Sequence, residues 1–233
     1  MKTFLSQLKW QFILLARNNI IAISVVVTVI YSLVFYGLKD LGNTDKLLTF
    51  IIYNDTAIIA LFFIGISIIM EKNQEVLPAL FVAPLNPHIY LLSRVISLSI
   101  IGWLCGLGMA IFALGFAFNV LHFSIGILGI CILSCLAGLY LVSYTDEFLL
   151  FLLKTIPILL IFVNLPLLNY FEVTDITLFY LLPVQGSLSL IDASYQPSPP
   201  LQQVLFGYAS LLIWIPLLYW WVHRVFVSKI VTA

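Results

Sequence analysis

Charge is what this chain has least of. Asp, Glu, Lys and Arg make up 9% of its 233 positions, against about 25% in soluble domains. The ten acidic and ten basic residues cancel, so there is no basic field of the kind a nucleic-acid partner needs. A soluble exterior is excluded as well, because charged side chains normally supply it. Cysteine is scarce: Cys105, Cys131 and Cys135 all lie in apolar runs, which suits packing residues of membrane helices rather than a disulfide framework or a metal site. No glycine is followed by lysine, so the GxxxxGK[ST] loop that cradles nucleotide phosphates is missing. Neither HExxH nor GxSxG occurs, and His88, His122 and His223 fall in three separate connections or helix ends. An enzyme is not expected, and neither is a metal or cofactor bound by this chain.

What is present is apolar length. Hydrophobic residues fill 63% of the sequence, enough for about six spans of roughly 20 residues with short connections. Residues 1–17 carry Phe4, Leu5, Leu8, Phe12 and Leu15 on one helical side and Lys2, Ser6, Lys9 and Arg17 on the other. That pattern predicts an interfacial helix, and no cleavable-signal pattern is seen. Uncharged runs then predict spans over about 20–38, 48–70, 89–118, 123–142, 155–170 and 204–227. Arg94 is expected to mark the exit of the third run to the interface. The segment 143–154, charged at both ends, is expected to lie at the interface. Residues 171–203 hold apolar pieces too short to cross, broken by Pro183 and Gly186; they predict a re-entrant segment, with a seventh and eighth span as the alternative. The expected fold is therefore all-α: a single six-span membrane domain.

Lys2, Lys9, Arg17, Lys72, Arg94, Lys154, Arg224 and Lys229 gather on the side of both termini, leaving Lys39 and Lys46 on the other. The positive-inside rule then puts both termini in the cytoplasm. Inside the spans, Asp55 is placed roughly 24 Å from Glu71, near the outer boundary. It reads as an interfacial cap of the second helix, with proton coupling as the rival. Asn164 reads as a helix–helix hydrogen bond, with a substrate contact as the rival. Gly102 and Gly106 form a GxxxG that permits close helix approach without naming the partner.

The most informative stretch is EKNQEVLPALFVAPLNPH, residues 71–88. A cytoplasmic loop with no partner has little reason to carry Val76, Leu77, Leu80, Phe81 and Val82, whereas an amphipathic helix laid into a groove on another protein does. A helix resting on the bilayer is the alternative.

At these residues the sequence resembles the coupling-helix stretch of ABC-2 type exporter permeases. An acidic residue leaves the second helix at Glu71, a turn of the form Leu-x-Val-Thr/Ser-Pro-Leu follows at Leu80–Leu85, and Arg94 opens the third helix. Ala83 replaces the usual hydroxyl residue, and Pro78 implies a kink. NDTAIIALFFIG (54–65), YTDEFLLFLLKTIP (144–157) and YLLPVQGSLSLI (180–191) are similar to the fluoroquinolone-export permeases in particular.

The resemblance implies a permease subunit that pairs with a second permease subunit, identical or paralogous. A separate ABC ATPase subunit would bind ATP and Mg and dock on Glu71, Glu75, Leu77, Leu80, Val82, Pro84 and Leu85. Asp55, Asn164, Pro183, Gln185 and Gly186 become candidate substrate-path residues. The cargo, a hydrophobic or amphipathic small molecule or a lipid-like one, would move outward through a cell membrane, that of a bacterium. A secondary transporter or channel, and a non-transporting scaffold or immunity protein, stay open.

Overall fold

The computed structural model describes residues 2–38, 45–74, 86–174 and 176–231. Helices account for the regular structure of these residues, in the order α1 (Lys2–Arg17), α2 (Ile20–Leu38), α3 (Asp45–Asn73), α4 (Pro87–Leu114), α5 (Val120–Val142), α6 (Phe148–Tyr170), α7 (Gln185–Tyr195) and α8 (Leu201–Phe226). A single 3-10 turn, Thr177–Leu181, precedes α7, and a π turn, Val227–Val231, prolongs α8. Six of these helices, α2 to α6 and α8, are long and apolar enough to cross a bilayer, which makes this a multi-pass membrane protein.

Local chemistry sets the helix ends. Asn86 caps α4 by accepting from the His88 N–H at 2.9 Å, with Pro87 at the first turn where its missing N–H costs nothing. Gly115, at φ +66°, terminates the same helix. The third span therefore stops four residues short of the expected Phe118. Asn119 then caps α5 through the N–H groups of Leu121 and His122.

The fifth span differs more from expectation. It opens at Phe148, so the stretch expected at the interface, residues 143–154, is largely transmembrane helix. Its one cation bends out of the way: Lys154 Nζ donates to the Tyr144 carbonyl at 3.3 Å, the snorkelling that lets a lysine sit more than a turn inside a span. Midway, the π turn Leu159–Asn164 precedes Pro166. A proline cannot donate to the preceding turn, and the wider turn absorbs the break.

Burial separates a core from a periphery. Of the most apolar 18-residue windows, 72% of α5 and 61% of α3 are buried inside the protein, against 17% for α6 and 22% for α2 and α8. The core forms because small residues line the α3–α4–α5 contacts. A Cβ at Gly138 would come within 2.7 Å of the Leu61 carbonyl, so only glycine lets α5 lie this close to α3. The GxxxG of α4 packs on α5, with Gly102 against Cys131 and Gly106 against Ile127. All three cysteines are free and buried, as packing residues should be.

α7 is antiparallel to the first half of α5. Its far end meets the α5 start, where Asn119 N–H donates to Ser194 O at 2.8 Å, and its near end faces Gly129 through Ser187. Gly129 lies nine residues into α5, roughly 14 Å along the axis, so α7 begins deep in the bundle and climbs to its edge. No seventh or eighth span is found among the described residues.

Candidate functional site

Residues 75–85, and with them Glu75, Leu77, Leu80, Val82, Pro84 and Leu85, lie outside the described residues. The two helix ends that bracket them are described. Glu71, in the last turn of α3, and Arg94, in the second turn of α4, form a buried ion pair. Arg94 is 1% exposed, turned into the protein rather than out to solvent. Its guanidinium also donates to Ser67 Oγ. Tyr90, one turn earlier on α4, donates its hydroxyl to the other Glu71 oxygen at 2.6 Å and lays its ring 5.0 Å from the guanidinium carbon. A lone buried charge would be strongly disfavoured, but here each is matched by the other and by neutral donors and acceptors.

The same end is tied down in two more places. Lys72 Nζ donates to the Val142 and Thr145 carbonyls at 2.8 and 3.1 Å and to Asp146 at 2.9 Å, so a cation closes the C-terminus of α5. The His88 ring, in the first turn of α4, stacks on His223 of α8 with ring centres 3.6 Å apart, and its Nδ1 meets the Tyr219 hydroxyl at 3.0 Å. Beside this array a groove of about 760 Å³ runs between α1 and the end of α3, with Lys9, Trp10, Arg17, Glu71 and Gln74 among its lining residues.

The opposite end holds a polar basin of about 660 Å³. α6 terminates beside it at Glu172, whose φ of 60° turns the chain so that Val173 N–H reaches back to Leu168 O at 2.9 Å. Glu172 pairs with Lys46 at 2.7 Å, and that hydrogen bond and charge hold its carboxyl below the usual range. α7 presents Gln185, Leu188, Ser189 and Asp192 to the basin, spaced as one helical face, and Gln196 joins them just past its end. Asp192 accepts from Tyr170 at 3.1 Å, Gln196 at 3.1 Å and Gln203 at 2.9 Å. Asp192 has no role among the sequence-based expectations. The signal that finds it is the polar stripe at helical spacing in a chain otherwise poor in polar residues.

The remaining candidates separate. Pro183 and Gly186 are buried at the deep end of α7, where a Cβ on Gly186 would meet the Gly207 carbonyl of α8 at 2.9 Å; they pack helices. Asn164 does not reach another helix, because its amide donates to Leu159 O, 3.0 Å away in its own π turn. Asp55 is not a cap. It lies ten residues inside α3, buried, with Oδ2 unpartnered, because α3 begins at Asp45, three residues before the apolar run itself. Among the described residues no three His, Cys, Asp or Glu side chains gather as a metal site would require.

The sequence has relatives. Two fluoroquinolones export permease proteins of Mycobacterium tuberculosis, from strains CDC 1551 / Oshkosh and H37Rv, are each 29% identical to the chain over 150 residues. The match takes in 63% of this chain and 62% of the length of each relative. The profile of the fluoroquinolones export permease protein family matches far more, residues 2–233. A multi-pass bundle of six spans, matched over nearly its whole length, belongs to the fluoroquinolones export permease protein family.

Proposed function

We propose that this chain is the membrane permease subunit of an ATP-binding-cassette exporter, driven by a separate ATPase subunit that carries ATP and Mg. The observation that carries the reading is the Glu71–Arg94 pair. It joins the two helix ends on either side of residues 75–85, so a push on that stretch moves α3 and α4 together. An effector shifts a conformational balance only through contacts that differ between the states; Glu75, Leu77, Leu80, Val82, Pro84 and Leu85 would be those contacts, with Glu71 passing the push to Arg94. The groove between α1 and α3 leaves room for the same partner. A second permease subunit, identical or paralogous, would complete the membrane part against the exposed apolar sides of the peripheral helices. Charge bias supports cytoplasmic termini in a bacterial plasma membrane. The cargo is an amphipathic or hydrophobic molecule moved outward; the name of the relatives makes a fluoroquinolone the first to test.

The test is co-purification of the ATPase in mild detergent. Leu80→Asp together with Leu77→Asp should release it while membrane insertion persists, since truncating a central apolar anchor typically costs about 2 kcal/mol or more. A complex that survives both substitutions rejects the coupling role.

One observation favours a second reading. Asp55 is a buried carboxylate within a span, and such groups survive where they carry protons or ions. Proton-coupled transport without an ATPase would be abolished by Asp55→Asn in vesicles energised by a pH gradient alone.

A further inference from the structure

We propose that the polar basin at the Lys46 end is a binding site for a protonated amine that carries an aromatic ring. Among the described residues three charged groups line it: Lys46 at +1, Glu172 at −1 and Asp192 at −1, for a net −1. Lys46 and Glu172 already neutralise each other at the rim. Asp192 is different, for among the described residues no cation lies within ion-pair distance of it. Its two oxygens offer about four lone-pair positions, and three are taken by the neutral donors Tyr170, Gln196 and Gln203. One position remains on a half-buried carboxylate that lacks a counter-charge.

A second, independent observation lies on the same helical face. Gln185, 7% exposed, lines the basin two turns below Asp192, and its Oε1 is buried without a hydrogen-bond partner. A buried unpaired amide is costly, and rotating the amide toward the basin would offer a second acceptor for an ammonium group. The third element is aromatic. Tyr180 and Phe206 stand edge to face, ring centres 6.1 Å apart, on the wall of the basin. They would accept a ring in the same geometry. A volume of about 660 Å³ falls within the roughly 300–1,000 Å³ of small-molecule sites. An anion is disfavoured, because the one cation among the described lining residues is Lys46, which is already paired.

Binding at this basin does not require an ATPase; only its place on an export path rests on the function proposed above. The probe is dansylcadaverine, a primary ammonium linked to an aromatic ring, followed by fluorescence anisotropy on the full chain in a non-ionic detergent. The comparison compounds are its N-acetylated derivative, which has lost the charge, and dansylglycine, which is an anion. Wild type should bind the amine at least about tenfold more tightly than either, the scale of one charge-assisted hydrogen bond. Asp192→Asn should erase that preference. Gln185→Met, of similar shape and with no partner to lose, should weaken amine binding several-fold while leaving the melting temperature unchanged. It decides the matter if Asp192→Asn fails to elute as a single species. Equal binding of the amine and its acetylated form to wild type overturns the site. So does an amine preference that Gln185→Met and a well-folded Asp192→Asn both retain. Either result leaves ATPase coupling untouched, because that reading stands or falls on release of the partner by Leu77→Asp and Leu80→Asp.

Discussion

Arg94 and Glu71 stand 23 residues apart in sequence and close on each other across the ends of two helices, each almost fully buried. Removing one member strands the other. Arg94→Met and Glu71→Leu should each destabilise the protein by about 3–5 kcal/mol, read as loss of melting temperature in detergent. The double substitution should cost clearly less than the sum, since it leaves no orphaned charge. Additive losses would show that the two side chains act independently.

Lys72 closes the C-terminus of α5 on two carbonyl oxygens, and its ion-pair partner Asp146 has a side chain that is 89% exposed and so screened by solvent. Lys72→Met should therefore cost about 1–3 kcal/mol. Asp146→Asn should cost under about 1 kcal/mol. Equal effects in thermal unfolding would mean that the surface ion pair carries the contact.

Phe151 is one of two buried residues in the first half of α6, and its ring presses on α3 where Gly65 leaves a gap. Gly65→Ala gains about 1 kcal/mol of helix propensity, but the added Cβ would clash with the ring's Cζ. Overpacking of this kind costs roughly 1–3 kcal/mol, so a net loss of stability is expected. Adding Phe151→Leu should recover part of it. A Gly65→Ala variant that melts no lower than wild type would show that α6 does not dock through this contact.

Orientation rests on the eight-to-two division of lysine and arginine and can be read directly. All native cysteines are buried, and a cysteine-free variant removes them altogether. Single cysteines at Asn43 and Ser198 should react with an impermeant thiol reagent in intact cells, and one at Asn73 should not. The reverse pattern would invert the topology and move the basin to the cytoplasmic side.

Composition and run length by themselves determined the membrane class, the number of spans and the place of the irregular segment before the last one, because a bilayer imposes those features on any chain that crosses it. They also located the stretch bounded by Glu71 and Arg94. Hydropathy misplaced the start of α6, since it scores Lys154 as a charge at its own position and cannot see the side chain bend back to Tyr144. It also set Asp55 at a boundary, by taking the apolar run as the whole of α3. Pairing lay beyond it altogether. That Gly102 meets Cys131, that Arg94 turns inward to Glu71, and that Asp192 shares a basin with Gln185 and the Tyr180–Phe206 pair depend on how helices distant in sequence pack. Lipid tails and buried protein are equally apolar, so hydrophobicity cannot distinguish a face turned to the bilayer from one turned to another helix. Only tertiary packing, through the shapes of small residues and the pairing of scarce charges, made that distinction.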